Sequence, residues 1–330
     1  MITVFGAGSW GTALAQSFCQ AGQEVLLWCR DSDQSAIMAQ THHNPKRLSN
    51  HQLHPALRFT SDLEEAARND EWVLVTPAQT LREMLMRLKP YWNKNKEVLC
   101  ASKGIEIDTQ LLPHQVAQEV IADVSFGDIS GPSHAEEVII GLPACLVVAH
   151  KDQQKAMTWQ QRLSHSALRL YTSNDLIGVE VGGAVKNVIA IASGFVHAKK
   201  LGDNTAAALV TRGLAEMTRL AVALGGNPST LAGLAGIGDL MVTAFSKHSR
   251  NFCLGELLAQ GHTLTSAKEQ LGQVAEGAYT AKALQLLLSK LDIEMPLCDA
   301  VWHVLLGELS ATDALVQLMG RDLKPEAEKF

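Results

Sequence analysis

The stretch VGGAVKNVIAI, Val181–Ile191, holds one charged residue, Lys186, among apolar and small ones. Burying an ammonium costs desolvation unless something uses the charge. On a helix the lysine side chain leans back over the preceding turn. Here that turn carries Gly182 and Gly183, a surface without side chains on which a ligand would have room. An ammonium so placed donates to a developing alkoxide; deprotonated, it takes a proton from an alcohol. A lone helix lysine can equally lay its stem on apolar surface and put its head in water. Spacing alone leaves both readings open.

A second set of residues is suited to holding anions. GAGSWG, Gly6–Gly11, fits GxGxxG, and it follows a strand pattern and opens a helical one. In that context Gly6 allows the tight turn, Gly8 lets a pyrophosphate approach the backbone, and Gly11 lets helix pack on strand. The helix N-terminus then favours negative phosphates. The next strand ends in LLWCRD, with Arg30 and Asp31 where the adenosine ribose of a dinucleotide is read. Arginine suits a 2′-phosphate, with Lys46 and Arg47 of NPKR adding charge, and favours NADP; Asp31 keeps NAD open. Lys103 in ASKGIE follows a strand, at the end of a sheet where such proteins bind ligands. Beside Lys186 it would lower that lysine's pKa, and a bound phosphate would raise it. In SGPSHAEE, Gly131 permits close backbone approach, and Ser133 either caps the next helix or meets an anion or a carbonyl oxygen. Ser249, Arg250 and Asn251 in SKHSRNFCLG read as a solvated loop or, through Arg250, as a phosphate clamp. The histidines of THHNPKRL, with His51 and His54, lack a ligand set at metal spacing and read as surface residues; no metal site is expected.

These residues need elements to hold them. Short apolar runs alternate with amphipathic ones through the first half: ITVF, EVLLW, LRF, WVLVT, EVLCA, GDIS, ACLVVA and LRLYT. Strands alternating with helices imply an α/β domain with a mainly parallel sheet. From Asp175 the pattern becomes helical, so the chain divides into residues 1–174, a nucleotide-binding domain, and 175–330, an all-α domain carrying Lys186. Two domains also suit a chain of 330 residues. A net charge of −6 gives no global basic surface for nucleic acid. The six cysteines form no CxxC pair and read as buried thiols of a reducing compartment. A strand beginning at Ile2 leaves no room for a signal peptide, and no uncharged apolar run reaches membrane-span length. A cytoplasmic protein is expected, without stable membrane insertion.

GAGSWGTALA, ASKGIE, SGPSHAEEV, GVEVGGAVKNVIAIASG, TRGLAEMTRL, AGIGDL, SRN and GQVAEG occur in that order. Through them the chain closely resembles the bacterial soluble NAD(P)-dependent glycerol-3-phosphate dehydrogenases. The resemblance implies a Rossmann domain followed by a helical domain like the C-terminal one of 6-phosphogluconate dehydrogenase. It implies reversible reduction of dihydroxyacetone phosphate to sn-glycerol 3-phosphate by NADPH or NADH, for phospholipid synthesis, and a homodimer. By the family pattern Lys186 is the catalytic acid/base, and Lys103, Gly131, Ser133, Asp239, Ser249, Arg250 and Asn251 line the substrate. Ser9, Trp10, Arg30, Lys103, Ala135, Arg250, Val274 and Glu276 face the cofactor. The chain departs from the pattern at Ser133 and His134, where many members have Thr and Phe, and at Ala275, where Val is frequent. Two further readings remain. A 3-hydroxyacid or 6-phosphogluconate dehydrogenase of the same architecture would prefer a carboxylate, which SRN argues against. A non-catalytic NADPH-binding redox sensor with a protein partner would need GAGSWG but not Lys186.

Overall fold

The computed structural model describes residues 1–272, 275–323 and 325–326. Among the described residues eight strands occur, all before residue 174: β1 Ile2–Phe5, β2 Val25–Trp28, β3 Arg58–Thr60, β4 Glu71–Leu74, β5 Glu97–Cys100, β6 Phe126–Ser130, β7 Ala144–His150 and β8 Leu168–Ser173. They form one sheet in the order β3-β2-β1-β4-β5-β6-β7-β8. The pairs up to β6 are parallel, β6–β7 is antiparallel and β7–β8 is parallel. The first six follow the dinucleotide-binding order, in which the chain reverses direction across the sheet between β1 and β4. β1 and β2 are buried throughout, which is why their sequences read as continuous apolar runs rather than alternating ones.

The chain forms two compact units. Met1–Ser102 and Pro113–Leu176 make the first; Lys103–Leu112 and Ile177–Phe330 make the second. A linear division assigns Lys103–Leu112 to the sheet. Contacts assign the segment to the helices, because Ile105 and Leu112 are buried in the helical core with Val185, Ile189 and Leu284. Lys103 therefore belongs to the same unit as Lys186.

The helical unit is built around Leu176–Ala198, a helix of 23 residues. By length and composition it could cross a membrane, yet 89% of its apolar window is buried in the protein. Glu180 and Lys186 interrupt it, so no uncharged run shows in the sequence. Four of the cysteines are buried, but Cys145 and Cys253 are only half-buried, against the reading of all six as core thiols.

A second buried charge organises this unit. Glu216, on helix Asp203–Ala223, accepts the Leu297 N–H at 2.7 Å and the Cys298 N–H at 3.0 Å. It thereby caps helix Pro296–Leu306, which has no side-chain cap of its own. Burial raises its pKa to about 6, against the two N–H groups that favour the carboxylate. A raised acid pKa means that the protonated form is the better bound one. Its contribution is fully present below the unfolded pKa and is lost as pH rises through about 6. We expect the stability of the wild type relative to Glu216→Gln to fall by about 2 kcal/mol between about pH 4 and about pH 7. Urea unfolding of both proteins across that range checks it; a flat difference would contradict the assignment.

Candidate active site

The first unit holds a cleft of about 500 Å³ at the C-terminal ends of β1, β2 and β4. Its walls include Gly6, Gly8, Arg30, Asp31, Lys46, Arg47, Thr76 and Arg87. Gly6 has φ +124°, and a Cβ there would lie 2.5 Å from the Val75 carbonyl oxygen. A Cβ on Gly11 would lie 1.8 Å from the Gly6 carbonyl oxygen, so the first turn of helix Ser9–Gln20 can close on the glycine turn only with no side chain at position 11. In front of Gly8 there is open space.

This geometry suits a dinucleotide. Helix Ser9–Gln20 has no side-chain cap, so its first N–H groups are left for an anion. Trp10 Nε1 is buried without a hydrogen-bond partner, a donor awaiting an acceptor. Arg30, Lys46, Arg47 and Arg87 supply positive charge, and Arg87 sits over the Trp28 ring at 5.4 Å. Arg87 was not singled out in the sequence, where it is one arginine on an amphipathic helix. Gly131, Ser133 and Ala135 follow β6 in the same unit and are not among the residues lining this cleft.

Ser133 does not cap the next helix. The helix runs Ala135–Val138, its cap position is His134, and no side chain bonds there. The Ser133 hydroxyl instead donates to the Gly131 carbonyl at 3.0 Å, across Pro132. The turn set by Gly131 and Pro132 brings this nearer acceptor within reach.

The second unit brings together Lys186, Lys103 and Asp239. Asp239 is the first residue of helix Asp239–Ala244 and is reached through a π-helical turn, Leu234–Gly238. Asp239 Oδ2 accepts from Lys103 Nζ at 2.6 Å, and Oδ1 accepts from Lys186 Nζ. Lys186 Nζ also donates to Thr243 Oγ1 at 2.8 Å, and Thr243 in turn donates to the Asp239 backbone carbonyl at 2.6 Å. The Lys186 and Asp239 side chains are 8% and 1% exposed; that of Lys103 is 19% exposed. Lys186 is therefore no snorkelling lysine.

Gly182 has a different use from ligand room. A Cβ on Gly182 would lie 2.3 Å from the Ala235 carbonyl oxygen. The space over Gly182 is filled by the π-helical backbone, which carries Asp239 up to the lysine. π-Turns inside helical segments recur at functional sites for this reason: they re-aim one residue.

Burial lowers the Lys186 pKa to about 7; Asp239 opposes the shift and Lys103 adds to it. Burial pushes the Asp239 carboxyl up, but the two ammoniums outweigh it and hold its pKa below the usual carboxylate range. The result is a lysine able to give or take a proton near neutrality beside a carboxylate that stays ionised.

The SRN segment begins a helix, Arg250–Ala259, rather than forming a loop. Ser249 is its cap, accepting the Phe252 N–H at 3.2 Å. Arg250 is exposed in the first turn. Asn251 is buried; it donates to Asn187 Oδ1 at 2.9 Å and accepts the Gly277 N–H at 2.9 Å. It thus ties the lysine helix to helix Glu276–Leu288, whose first residue is the half-buried Glu276. Val274 lies outside the described residues. Sequence reasoning missed Thr243 and Asn187. Thr243 stands four residues after Asp239, one helical turn, and Asn187 adjoins the lysine; both were legible only once Asp239 and Asn251 had been placed.

Residues 1–156 match the model of the NAD-dependent glycerol-3-phosphate dehydrogenase N-terminus, and residues 175–316 that of its C-terminus. The chain belongs to the NAD-dependent glycerol-3-phosphate dehydrogenase family. Glycerol-3-phosphate dehydrogenase [NAD(P)+] of Cupriavidus pinatubonensis is 46% identical, over 98% of this chain and 97% of its own. Glycerol-3-phosphate dehydrogenase [NAD(P)+] 2 of Salinibacter ruber is 44% identical, over 98% and 96%. The crystal structure of glycerol-3-phosphate dehydrogenase from Coxiella burnetii superposes with a TM-score of 0.93 at 37% identity, covering 97% of this chain and 98% of that one. These matches favour a glycerol-3-phosphate dehydrogenase over both the 3-hydroxyacid enzyme and the non-catalytic sensor. The first unit is the family's nucleotide-binding part, and the protein is an NAD(P)-dependent oxidoreductase acting on a CH–OH group.

Proposed function

We propose that the protein interconverts dihydroxyacetone phosphate and sn-glycerol 3-phosphate, with NADP(H) preferred over NAD(H). The observation that carries the reading is the buried Lys186, held by Asp239 and Thr243 with its pKa lowered to about 7. In reduction, the C2 carbonyl of the substrate becomes an alkoxide as it is reduced. When bound, the nicotinamide supplies the hydride to C2. Lys186 donates the proton to the C2 oxygen and is left neutral; solvent reprotonates it. In the reverse direction neutral Lys186 takes the hydroxyl proton. Asp239 and Thr243 accept two of the ammonium's three N–H bonds, and the third would serve the substrate oxygen. Lys103 keeps the field positive where the alkoxide forms.

Arg250, Ser249 and Asn251, at a helix N-terminus, would hold the substrate phosphate. In the family pattern Gly131 and Ser133 of the first unit are also counted among the substrate-lining positions. In the family pattern the cofactor-facing positions are Ser9, Trp10, Gly11, Arg30 and Ala135 in the first unit and Lys103, Arg250 and Glu276 in the second. Arg30 favours NADP(H). We place the enzyme in the cytoplasm as a homodimer, by its likeness to the family.

The test is NADPH and NADH oxidation with dihydroxyacetone phosphate beside carboxylate analogues. Turnover should be confined to dihydroxyacetone phosphate; faster turnover of a carboxylate would overturn the substrate. Arg30→Asp should raise KM for NADPH about tenfold more than KM for NADH, since a charge-assisted contact is lost only with the phosphorylated cofactor. Equal increases would remove Arg30 from 2′-phosphate recognition.

A further inference from the structure

The end of β2 carries an acid–base contradiction. Arg30 suits a 2′-phosphate, while Asp31 beside it would repel one. The structure shows what stands against that carboxylate. Asp31 caps helix Ser32–Thr41 through the Gln34 N–H at 2.9 Å, and its other oxygen pairs with Lys46 Nζ. Lys46, followed by the Gln34 N–H, holds the Asp31 carboxyl below its ordinary range, so Asp31 is ionised at neutral pH and its partner matters.

Lys46 is delivered by a loop that the Asn44 side chain pins to its surroundings. Asn44 is fully buried. Its Oδ1 accepts from Gln34 Nε2 at 2.8 Å and from the backbone N–H groups of Lys46 at 3.1 Å and Arg47 at 3.2 Å. Its Nδ2 donates to the Ala7 carbonyl at 3.1 Å and to Thr12 Oγ1 at 2.8 Å. One amide therefore joins the glycine-rich turn, the helix after it, the Asp31-capped helix and the cationic loop. Every group involved lies in the first unit, and Lys46, Arg47, Asp31 and Gln34 all line the nucleotide cleft.

We propose that Asn44 and Lys46 form a selectivity device for the 2′-phosphate of NADP(H). Asn44 fixes the loop that sets Lys46 against Asp31, and Lys46 cancels the carboxylate that would otherwise oppose the phosphate. Asn44 is a positioning residue. Lys46 acts through Asp31 as much as through the ligand. This rests on the reading that the cleft prefers NADP(H).

The experiment is direct titration of the purified full chain with NADPH and with NADH, followed by quenching of tryptophan fluorescence, with melting curves for each protein. The wild type should bind NADPH more tightly. Lys46→Ala should weaken NADPH about tenfold more than NADH. Adding Asp31→Asn should restore most of the NADPH affinity, because asparagine still caps the helix and carries no charge. Asn44→Ala should show the same selective loss. Equal weakening of both nucleotides by Lys46→Ala, or no recovery in the double variant, would overturn the proposal. Selective loss in Lys46→Ala but equal losses in Asn44→Ala would overturn the role of Asn44. A wild type that binds NADH as tightly as NADPH would refute the cofactor preference itself, seen before any variant is made.

Discussion

Lys186→Ala should reduce turnover of dihydroxyacetone phosphate by about 10³-fold or more while leaving NADPH affinity within about twofold. The size is that of losing a general acid together with its charge at the alkoxide. The variant should fold, because Asp239 keeps Lys103 as its counter-charge at 2.6 Å, so no buried charge is stranded. The wild type should also show a mirrored pH dependence. Reduction needs the ammonium, so kcat/KM for dihydroxyacetone phosphate should fall as pH rises through about 7. Oxidation needs the neutral amine, so kcat/KM for glycerol 3-phosphate should rise over the same range. Steady-state kinetics in both directions, with fluorescence titration of the variant, check this. Activity of Lys186→Ala within a few-fold of wild type would remove the residue from the chemistry.

Much of this frame was legible from the chain. The glycine turn, the eight strands and the all-helical second half follow from local rules: GxGxxG after a strand, apolar runs between helices, helical periodicity after Asp175. What escaped depends on partners far apart in sequence. Lys103 reaches Asp239 across 136 positions, and Lys186 reaches it across 53; no periodicity links such pairs. The segment Lys103–Leu112 reads as a loop after β5 and joins the helices only through Ile105 and Leu112. Asn44 sits in a polar run that looks like surface, yet has no exposure at all.

Lys96 gives the counter-example to Lys186. It lies in the polar run NKNKE, which reads as exposed. It is nonetheless buried, donating to the Ala67 carbonyl at 2.9 Å and the Asn69 carbonyl at 2.7 Å. Burial lowers its pKa too, against the pull of Asp70. A buried lysine is thus not in itself a catalytic one. Lys96 spends its donors on backbone carbonyls at the end of a short helix. Lys186 is held by one carboxylate and one hydroxyl, with a second ammonium across the carboxylate. That second cation separates a lysine poised for proton transfer from one that closes a helix end.

Asp239→Asn should do lesser damage by a different route. Asp239 counterbalances two ammoniums, and its charge raises the Lys186 pKa against burial. Without that charge Lys186 is left beside Lys103 with only neutral acceptors, the Thr243 hydroxyl and the asparagine amide oxygen, and its pKa falls further. At pH 7 Lys186 would then be largely neutral, and reduction should slow by about 10²-fold. Lowering the pH should recover part of that loss, because protons are returned to the amine. Oxidation should suffer less at the same pH, since it uses the neutral amine. The asymmetry between directions, and the shift of the reduction limb towards acid, would not arise from a structural defect alone. The fold should also weaken by about 3 kcal/mol, the usual consequence of removing one partner of a buried pair. Urea unfolding measures that loss, and pH–rate profiles in both directions measure the rest. An unshifted profile, with both directions reduced equally, would show that Asp239 positions the lysine without tuning it.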